Sequence, residues 1–269
     1  MRIVKAHLDI TKGCQLRCVG CPNSGLQWKP EFMSPEVFKQ CVGNIDVERI
    51  ELFRLYNFGE PLLNPYLVEI AREVPREKCD IVEVSTNGQV HVFERIETLM
   101  REGLMDTFML SCDGDGTPED YERLRPPAKW DRLLKFMEVV KGMKDKTGSP
   151  VNLSIRSICE TQEGRTRWKA VAGARGWGFQ FRDWLPFADS VRMVDTKSTG
   201  ACPDMVNEQP SLFVHYDGAA VPCCCHPRAF VMGDLKTEKF TEVWSRRGFY
   251  RTQMEWFRDK MPVCRDCGK

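Results

Sequence analysis

The stretch KGCQLRCVGCPN, residues 12–23, places Cys14, Cys18 and Cys21 within eight residues, directly behind an apolar, strand-like run. Thiolates are soft ligands that select zinc, copper(I) or iron–sulfur clusters. A closed zinc site wants four ligands, usually two C-x2-C pairs a dozen or more residues apart. Here the spacing is three and then two, and neither a fourth cysteine nor a histidine stands close by. Gly13, Gly20 and Pro22 mark the stretch as a loop, which argues against three cysteines packed into a core. A cubane iron–sulfur cluster held by three thiolates keeps one iron without a protein ligand. That iron is a place to bind and reduce something.

The rest of the composition sharpens the anomaly. The chain has 269 residues, 42% apolar and 29% charged, with a formal net charge of +1. That is an ordinary soluble composition with no global field for nucleic acid or an anionic membrane. The N-terminal MRIVKAHLDI is too short and too interrupted for a signal peptide, and no run approaches the ~18 apolar residues of a membrane span. A cytoplasmic protein is expected. Thirteen cysteines in a reducing compartment point to metal, catalysis or redox sensing rather than disulfides.

Along the chain, strand-like runs alternate with helical patterns. The runs are 3–10, 49–56, 81–85, 107–111, 151–158 and 179–184, rich in Val, Ile, Leu or Phe as doubly buried strands are. One helix opens at Ser34 with Pro35 first and Glu36 behind it; others are expected over 66–73, 92–102, 130–144 and 165–175. Six strands with helices between them read as a parallel sheet wound in one sense, open or curled towards a barrel. After Phe187 the rhythm breaks. SLFVHYDGAAVPC reads as a hairpin turning at Asp217-Gly218, and one long helix is expected over 240–257. The natural cut lies near residue 190, giving units 1–190 and 191–269.

C-x3-C-x2-C behind a first strand resembles the signature of the radical S-adenosylmethionine (SAM) superfamily. NFGEPLLNP, residues 57–65, resembles the family's glycine–glutamate motif on the second strand, which receives the SAM amino group, and so implies Gly59, Glu60 and Pro61. STNG (85–88) and SCDG (111–114) fall where relatives bring polar groups to SAM, implying Ser85, Asn87, Ser111 and Asp113. Phe58 stands in place of the first glycine of the usual pair, leaving the backbone there less permissive. The resemblance covers residues 3–186. It implies an α/β fold, a partial (β/α)6 TIM-type barrel with chemistry at the C-terminal ends of its strands. It also implies a [4Fe–4S] cluster on Cys14, Cys18 and Cys21, with SAM chelating the open iron. Reductive cleavage would then give a 5′-deoxyadenosyl radical that takes hydrogen from a strong C–H bond, fed by an electron donor such as flavodoxin or ferredoxin.

Beyond residue 190, Cys202 stands alone, Gly218 is followed by four residues and then Cys223, and the terminal CRDCGK carries Cys264 and Cys267. This resembles the twitch form of the SPASM auxiliary-cluster extension, a small β-hairpin plus helix domain. It implies a second [4Fe–4S] cluster on Cys202, Cys223, Cys264 and Cys267, leaving no open iron. Structural zinc on the same residues is the rival reading. The run Cys223-Cys224-Cys225 leaves open which of the three ligates, and His226 beside it is either a further ligand or, as a lone histidine beside a cluster more often is, a hydrogen-bond donor to its surroundings.

The residues that would act on substrate are less determined. Cys112 and Cys159, near the ends of the fourth and fifth strands, are candidate hydrogen-atom donors. Arg156 and Arg182 reach the barrel mouth if their side chains point inward, and Arg156 is then a candidate for the SAM carboxylate or the substrate. A solvated or ion-paired structural arginine is the alternative. Tyr56, Asp113 and Asp183 are further polar candidates, while Cys41 and Cys79 read as packing residues. Size and cysteine layout resemble the twitch-type aminocyclitol dehydrogenases, which implies oxidation of a polar small molecule. Maturation of a ribosomal peptide, by cross-linking or epimerisation, is the second reading. With Cys14 so near the start, no leader-binding domain is expected, which favours the small molecule. A non-catalytic metal-binding module is the third, against which the cysteine spacing and the Gly-Glu-Pro motif both argue.

Overall fold

Apolar runs of five to eight residues cannot stay in water, and in this chain they line up side by side. The computed structural model describes residues 1–26, 29–182, 211–223, 230–260 and 262–265. Its main strands are β1 (Arg2–Leu8), β4 (Arg49–Arg54), β5 (Cys79–Thr86), β6 (Thr107–Asp113), β7 (Asn152–Ile158) and β8 (Gly178–Arg182). Two short strands, β2 (Thr11–Lys12) and β3 (Glu31–Phe32), pair with each other across the cysteine loop. The chain order β1-β4-β5-β6-β7-β8 is parallel throughout, with registers such as Ile3↔Ile50, Leu52↔Ile81, Ser85↔Met109 and Ser111↔Arg156. Among the described residues β8 and the opposite edge of the sheet are not paired to one another, so the sheet is open. It is curled. Tyr56 just past β4 and Arg156 on β7 would stand roughly 14 Å apart in a flat sheet, yet their side chains hydrogen-bond at 2.8 Å.

Helices cover the convex face. They are α1 (Pro35–Gly43), α2 (Leu67–Arg72), α3 (Phe93–Arg101), α4 (Pro118–Leu124), α5 (Trp130–Thr147) and α6 (Gln162–Gly173). Ser34, Thr117 and Thr161 each accept a backbone N–H of the first turn of their helix. Such caps satisfy donors that the helix itself leaves orphaned. Phe38 meets Phe53 from α1, and Phe136 meets Phe108 from α5, all fully buried.

Three differences from the sequence reading stand out. Helix α4 was not anticipated, although Thr117-Pro118-Glu119-Asp120 is an ordinary helix start. The helix expected over 240–257 is two helices, Phe240–Ser245 and Arg247–Phe257. At Arg246 the backbone N–H bonds back only three residues to Val243, and the side chain turns to the Met232 carbonyl and Glu238. Third, the hairpin of β9 (Ser211–Val214) and β10 (Ala219–Val221), turning through Gly218 at φ +92°, belongs to the same sheet. β9 lies parallel to β1, Lys5↔Ser211 through Leu8↔Val214, and β11 (Gly233–Asp234) extends the edge. The cut near residue 190 falls outside the described residues.

Candidate active site

β1 delivers the chain to the cysteine loop, and the loop is pinned at both sides. β2 and β3 close its base, and the Arg17 and Val19 N–H groups bond to the Pro126 and Leu124 carbonyls at 2.6 and 2.8 Å. Gly13 and Gly20 take φ of +97° and +82° there, a region open chiefly to glycine. The Ser24 hydroxyl donates to the Cys18 carbonyl at 2.7 Å. The thiols lie close together: Cys21 raises the pKa of Cys14, and both raise that of Cys18. Burial first, then Glu60, pushes Cys14 up to about 11; burial pushes Cys18 up to about 12, and Cys21 upward too. Among the described residues no three His, Cys, Asp or Glu side chains converge on the position of one metal ion. Three neighbouring soft donors on one loop, with N–H groups of Leu16 and Asn87 directed at the Cys14 sulfur, fit an iron–sulfur cluster. Loading it must release thiol protons.

Beside the loop lies the Gly59-Glu60-Pro61 segment, held by a residue the sequence reading missed. Asp9 is fully buried, and its carboxylate accepts the backbone N–H of Asn57, Phe58 and Gly59, each at 3.2 Å. Burial outweighs these donors and pushes Asp9 up to about 7. Gly59 approaches β2 so closely that a Cβ would stand 1.6 Å from the Thr11 carbonyl oxygen. Only glycine fits. Glu60 bonds through its N–H to the Gly13 carbonyl. Its carboxylate accepts from Leu62 N–H at 3.1 Å, Thr86 hydroxyl at 2.8 Å and Asn87 N–H at 2.8 Å. A carboxylate offers about four lone-pair directions, so one remains. Burial pushes Glu60 up to about 7. Pro61 opens the turn that follows Glu60. Asn87 then joins the two motifs, exchanging bonds with Gln15 and donating to Cys14 at 3.4 Å.

On the concave face of the sheet the Ser85 and Ser111 hydroxyls meet at 3.2 Å. Asp113 is ion-paired with Arg125, a buried guanidinium whose charge also reaches Cys18, and accepts the Ile158 N–H. Arg125 went unread in the sequence. Arg156 and Arg182 do point inward, and Arg156 bonds to Tyr56 and Glu83. Cys112 does not. Because strand side chains alternate, the inward Ser111 and Asp113 put Cys112 on the helix-facing side, fully buried against the core. It is therefore not placed to hand hydrogen to a substrate in the barrel. Cys159 follows the last residue of β7 and packs against the start of α6, its thiol directed at the Thr161 carbonyl. It lines a crevice with Val19 and Asp115 rather than the concave face. Of the second cysteine set, Cys223 follows β10 and Cys264 lies on a short helix, Pro262–Arg265. Cys202, Cys224, Cys225, His226 and Cys267 lie outside the described residues, as does Asp183.

The family model described as the radical SAM superfamily matches residues 8–152, and that of an iron–sulfur cluster-binding domain, SPASM, matches residues 202–268. A GTP 3′,8-cyclase of Paenarthrobacter nicotinovorans is 34% identical over 108 residues, 38% of this chain and 30% of that protein. The matched segments span roughly a third to a half of the length of the curated relatives. In fold, the chain is similar to BtrN in complex with AdoMet and 2-DOIA, with a TM-score of 0.61 and 17% identity, covering 99% of this chain and 93% of that one. It is likewise similar to native anSMEcpe with bound AdoMet, at a TM-score of 0.65 and 16% identity, covering 98% and 88%.

Proposed function

Because the chain belongs to the radical SAM superfamily, we propose that it removes a hydrogen atom from a polar small molecule, which leaves oxidised. Its cofactors are SAM, a SAM-binding [4Fe–4S] cluster and an auxiliary iron–sulfur cluster. When bound, they supply a 5′-deoxyadenosyl radical to take the hydrogen atom and an acceptor for the electron that follows. The single observation that carries the reading is the hydrogen-bonded run from Cys14 through Asn87 to Glu60, which joins the thiol loop to the glycine–glutamate segment.

The residues divide the work accordingly. Cys14, Cys18 and Cys21 hold the first cluster; Cys202, Cys223, Cys264 and Cys267 are proposed for the second, in a cluster unit over 191–269 beside a catalytic unit over 1–190. Glu60 is kept in one orientation by Thr86 and Asn87, and its remaining lone pair suits the SAM ammonium. Asp9 and Gly59 set the height of that segment against β2. Ser85 and Ser111 offer hydroxyls on the concave face. Among the described residues no helix is long and apolar enough to cross a membrane, and a flavodoxin or ferredoxin is the proposed electron source. A second reading, radical cyclisation or rearrangement, is favoured by the GTP 3′,8-cyclases among the sequence relatives.

Anaerobic assay with dithionite tests the proposal. The Cys14→Ala, Cys18→Ala, Cys21→Ala variant should stay folded, make no 5′-deoxyadenosine, and keep about four of about eight irons. Retained SAM cleavage would sink the assignment, and zinc in place of the remaining iron would remove the redox role of the second site. Product mass decides between the readings: oxidation removes two hydrogens, rearrangement none.

A further inference from the structure

We propose that the substrate carries an oxyanion group, a carboxylate or a phosphate, held in the barrel interior between Arg156 and Arg182. The inference rests on the reading above and names the class of molecule that site takes.

Strand alternation puts His7 of β1, Arg54 of β4, Glu83 of β5, Arg156 of β7, and Gln180 and Arg182 of β8 on one concave face, and the contacts agree. Glu83 accepts Arg54 Nε at 2.9 Å and Arg156 Nη2 at 3.2 and 3.3 Å, and the Tyr56 hydroxyl donates to the same carboxylate. The side chains of Arg54, Glu83 and Arg156 are 8%, 6% and 12% exposed. One buried carboxylate is thus shared by two guanidiniums and a phenol. Arg182 adds a third guanidinium whose charge reaches Arg156 and Arg54, and among the described residues no hydrogen bond or ion pair engages it. Lys5 contributes a further cation near His7. Among the described residues no further anion is seen nearby: burial keeps the Tyr56 phenol protonated, with its pKa pushed up to about 12, and burial with Arg54 holds His7 neutral. Of the three guanidiniums Arg54 and Arg156 alone are buried, and they share one carboxylate. One buried positive charge is left over, with the exposed Arg182 beside it, and such a charge costs free energy until an anion meets it.

Two orphaned donors lie in the same place. Arg156 Nε is buried with no acceptor among the described residues. Arg54 can only donate, so His7 Nε2, 3.2 Å from it, is the acceptor of the neutral ring and Nδ1 carries the proton. That Nδ1 also has no acceptor among the described residues. Paired guanidinium forks with spare N–H donors match the bidentate geometry of a carboxylate or phosphate. A neutral polyol would leave the charge uncompensated. The backbone of Arg156 lies level with Ser111 and that of Arg182 with Ile158. The Arg156 guanidinium, however, turns back down to Tyr56 and Glu83, away from the Cys14 contact of Asn87. Titration with SAM already bound separates a substrate oxyanion from the SAM carboxylate.

The test is calorimetric titration of the iron-loaded, SAM-bound full chain with pyrophosphate, succinate and neutral inositol at constant ionic strength. One of the anions should bind saturably and inositol should not. Pyrophosphate alone identifies a phosphorylated substrate, succinate alone a carboxylic acid. Arg182→Gln should weaken binding by roughly tenfold or more. Arg156→Gln should do the same if it folds, and Arg182, exposed and at a strand end, decides the matter if it does not. Binding no tighter than a chloride-matched control, or an Arg182→Gln variant that binds like the native chain, overturns the inference. 5′-Deoxyadenosine formation is measured on the same preparation. SAM cleavage without anion binding sinks the oxyanion site alone, whereas anion binding without SAM cleavage sinks the proposed function.

Discussion

Replacing Gly59 by alanine tests whether the active site is built on one close backbone approach. The new Cβ would stand 1.6 Å from the Thr11 carbonyl oxygen and 2.6 Å from its carbon. Both are backbone atoms, so no side chain can swing away. Restoring van der Waals contact requires the two segments to separate by roughly 1.5–2 Å. The three bonds from Asn57, Phe58 and Gly59 to Asp9 are already 3.2 Å long and would stretch beyond hydrogen-bonding range. Losing them, together with the overpacking itself, amounts to a destabilisation of about 3–5 kcal/mol. For a chain of this size that is a fall in Tm of at least roughly 6 °C. Gly142→Ala is the control: it sits in α5, nothing lies within 4 Å of its Cβ, and it should gain about 0.5–1 kcal/mol. Urea unfolding followed by circular dichroism reads both variants. Because Glu60 is the next residue, Gly59→Ala should also lose most 5′-deoxyadenosine formation. A variant as stable as the native chain to within about 0.5 kcal/mol would refute the reasoning.

Two other perturbations follow from the buried charges. Glu83→Gln leaves the Arg54 and Arg156 guanidiniums without their shared carboxylate and should cost about 3–5 kcal/mol in thermal or urea unfolding. Glu102→Gln, which breaks the exposed pair with Arg72, should change nothing measurable, and equal effects from the two would show the inner network to be solvated. Burial raises the Asp9 carboxyl from its ordinary 3.8 to about 7, so its contribution to stability is complete below about pH 4 and is lost as pH rises through 7. Asp9→Asn should therefore flatten the stability–pH curve between pH 4 and 7, and an unchanged slope there would mean that Asp9 stays ionised throughout.

How much of this could be read beforehand depends on how far apart in sequence the interacting residues are. The strands, most helices, the cysteine loop and the Gly-Glu-Pro segment are local patterns, and the parallel order follows from their alternation. The interior network is not local. Its bonds join residues 29, 47, 73 and 100 apart, and no spacing rule says which pair meets. A weaker signal was present all the same. Arg54 in ELFRLY, Glu83 in IVEVS and Arg156 in LSIRSI each interrupt a run otherwise apolar enough to be buried on both faces. A charge in such a run must find a partner or a ligand. The expectation for Cys112 failed on a rule already available: in a strand, a residue between two inward neighbours faces outward.

The C-terminal hairpin shows the same distinction from the other side. Its turn was legible from Asp217-Gly218, because a positive φ at that point needs a residue such as glycine. Its partner strand was not. β9 lies beside β1, the strand that leads to Cys14, and the Asp9 N–H donates to the Val214 carbonyl at 2.8 Å. Tyr216 in the turn donates to Glu31 at 2.9 Å and accepts from Lys12, the two residues that pair across the base of the cysteine loop. Asp9 therefore joins three pieces of chain: its carboxylate fixes the glycine–glutamate segment, its N–H fixes the hairpin, and its position fixes the start of the loop. A residue with that many backbone partners has little freedom to be anything but a short acceptor. That is why an acid stands within HLDI, in a run otherwise shaped like a buried strand.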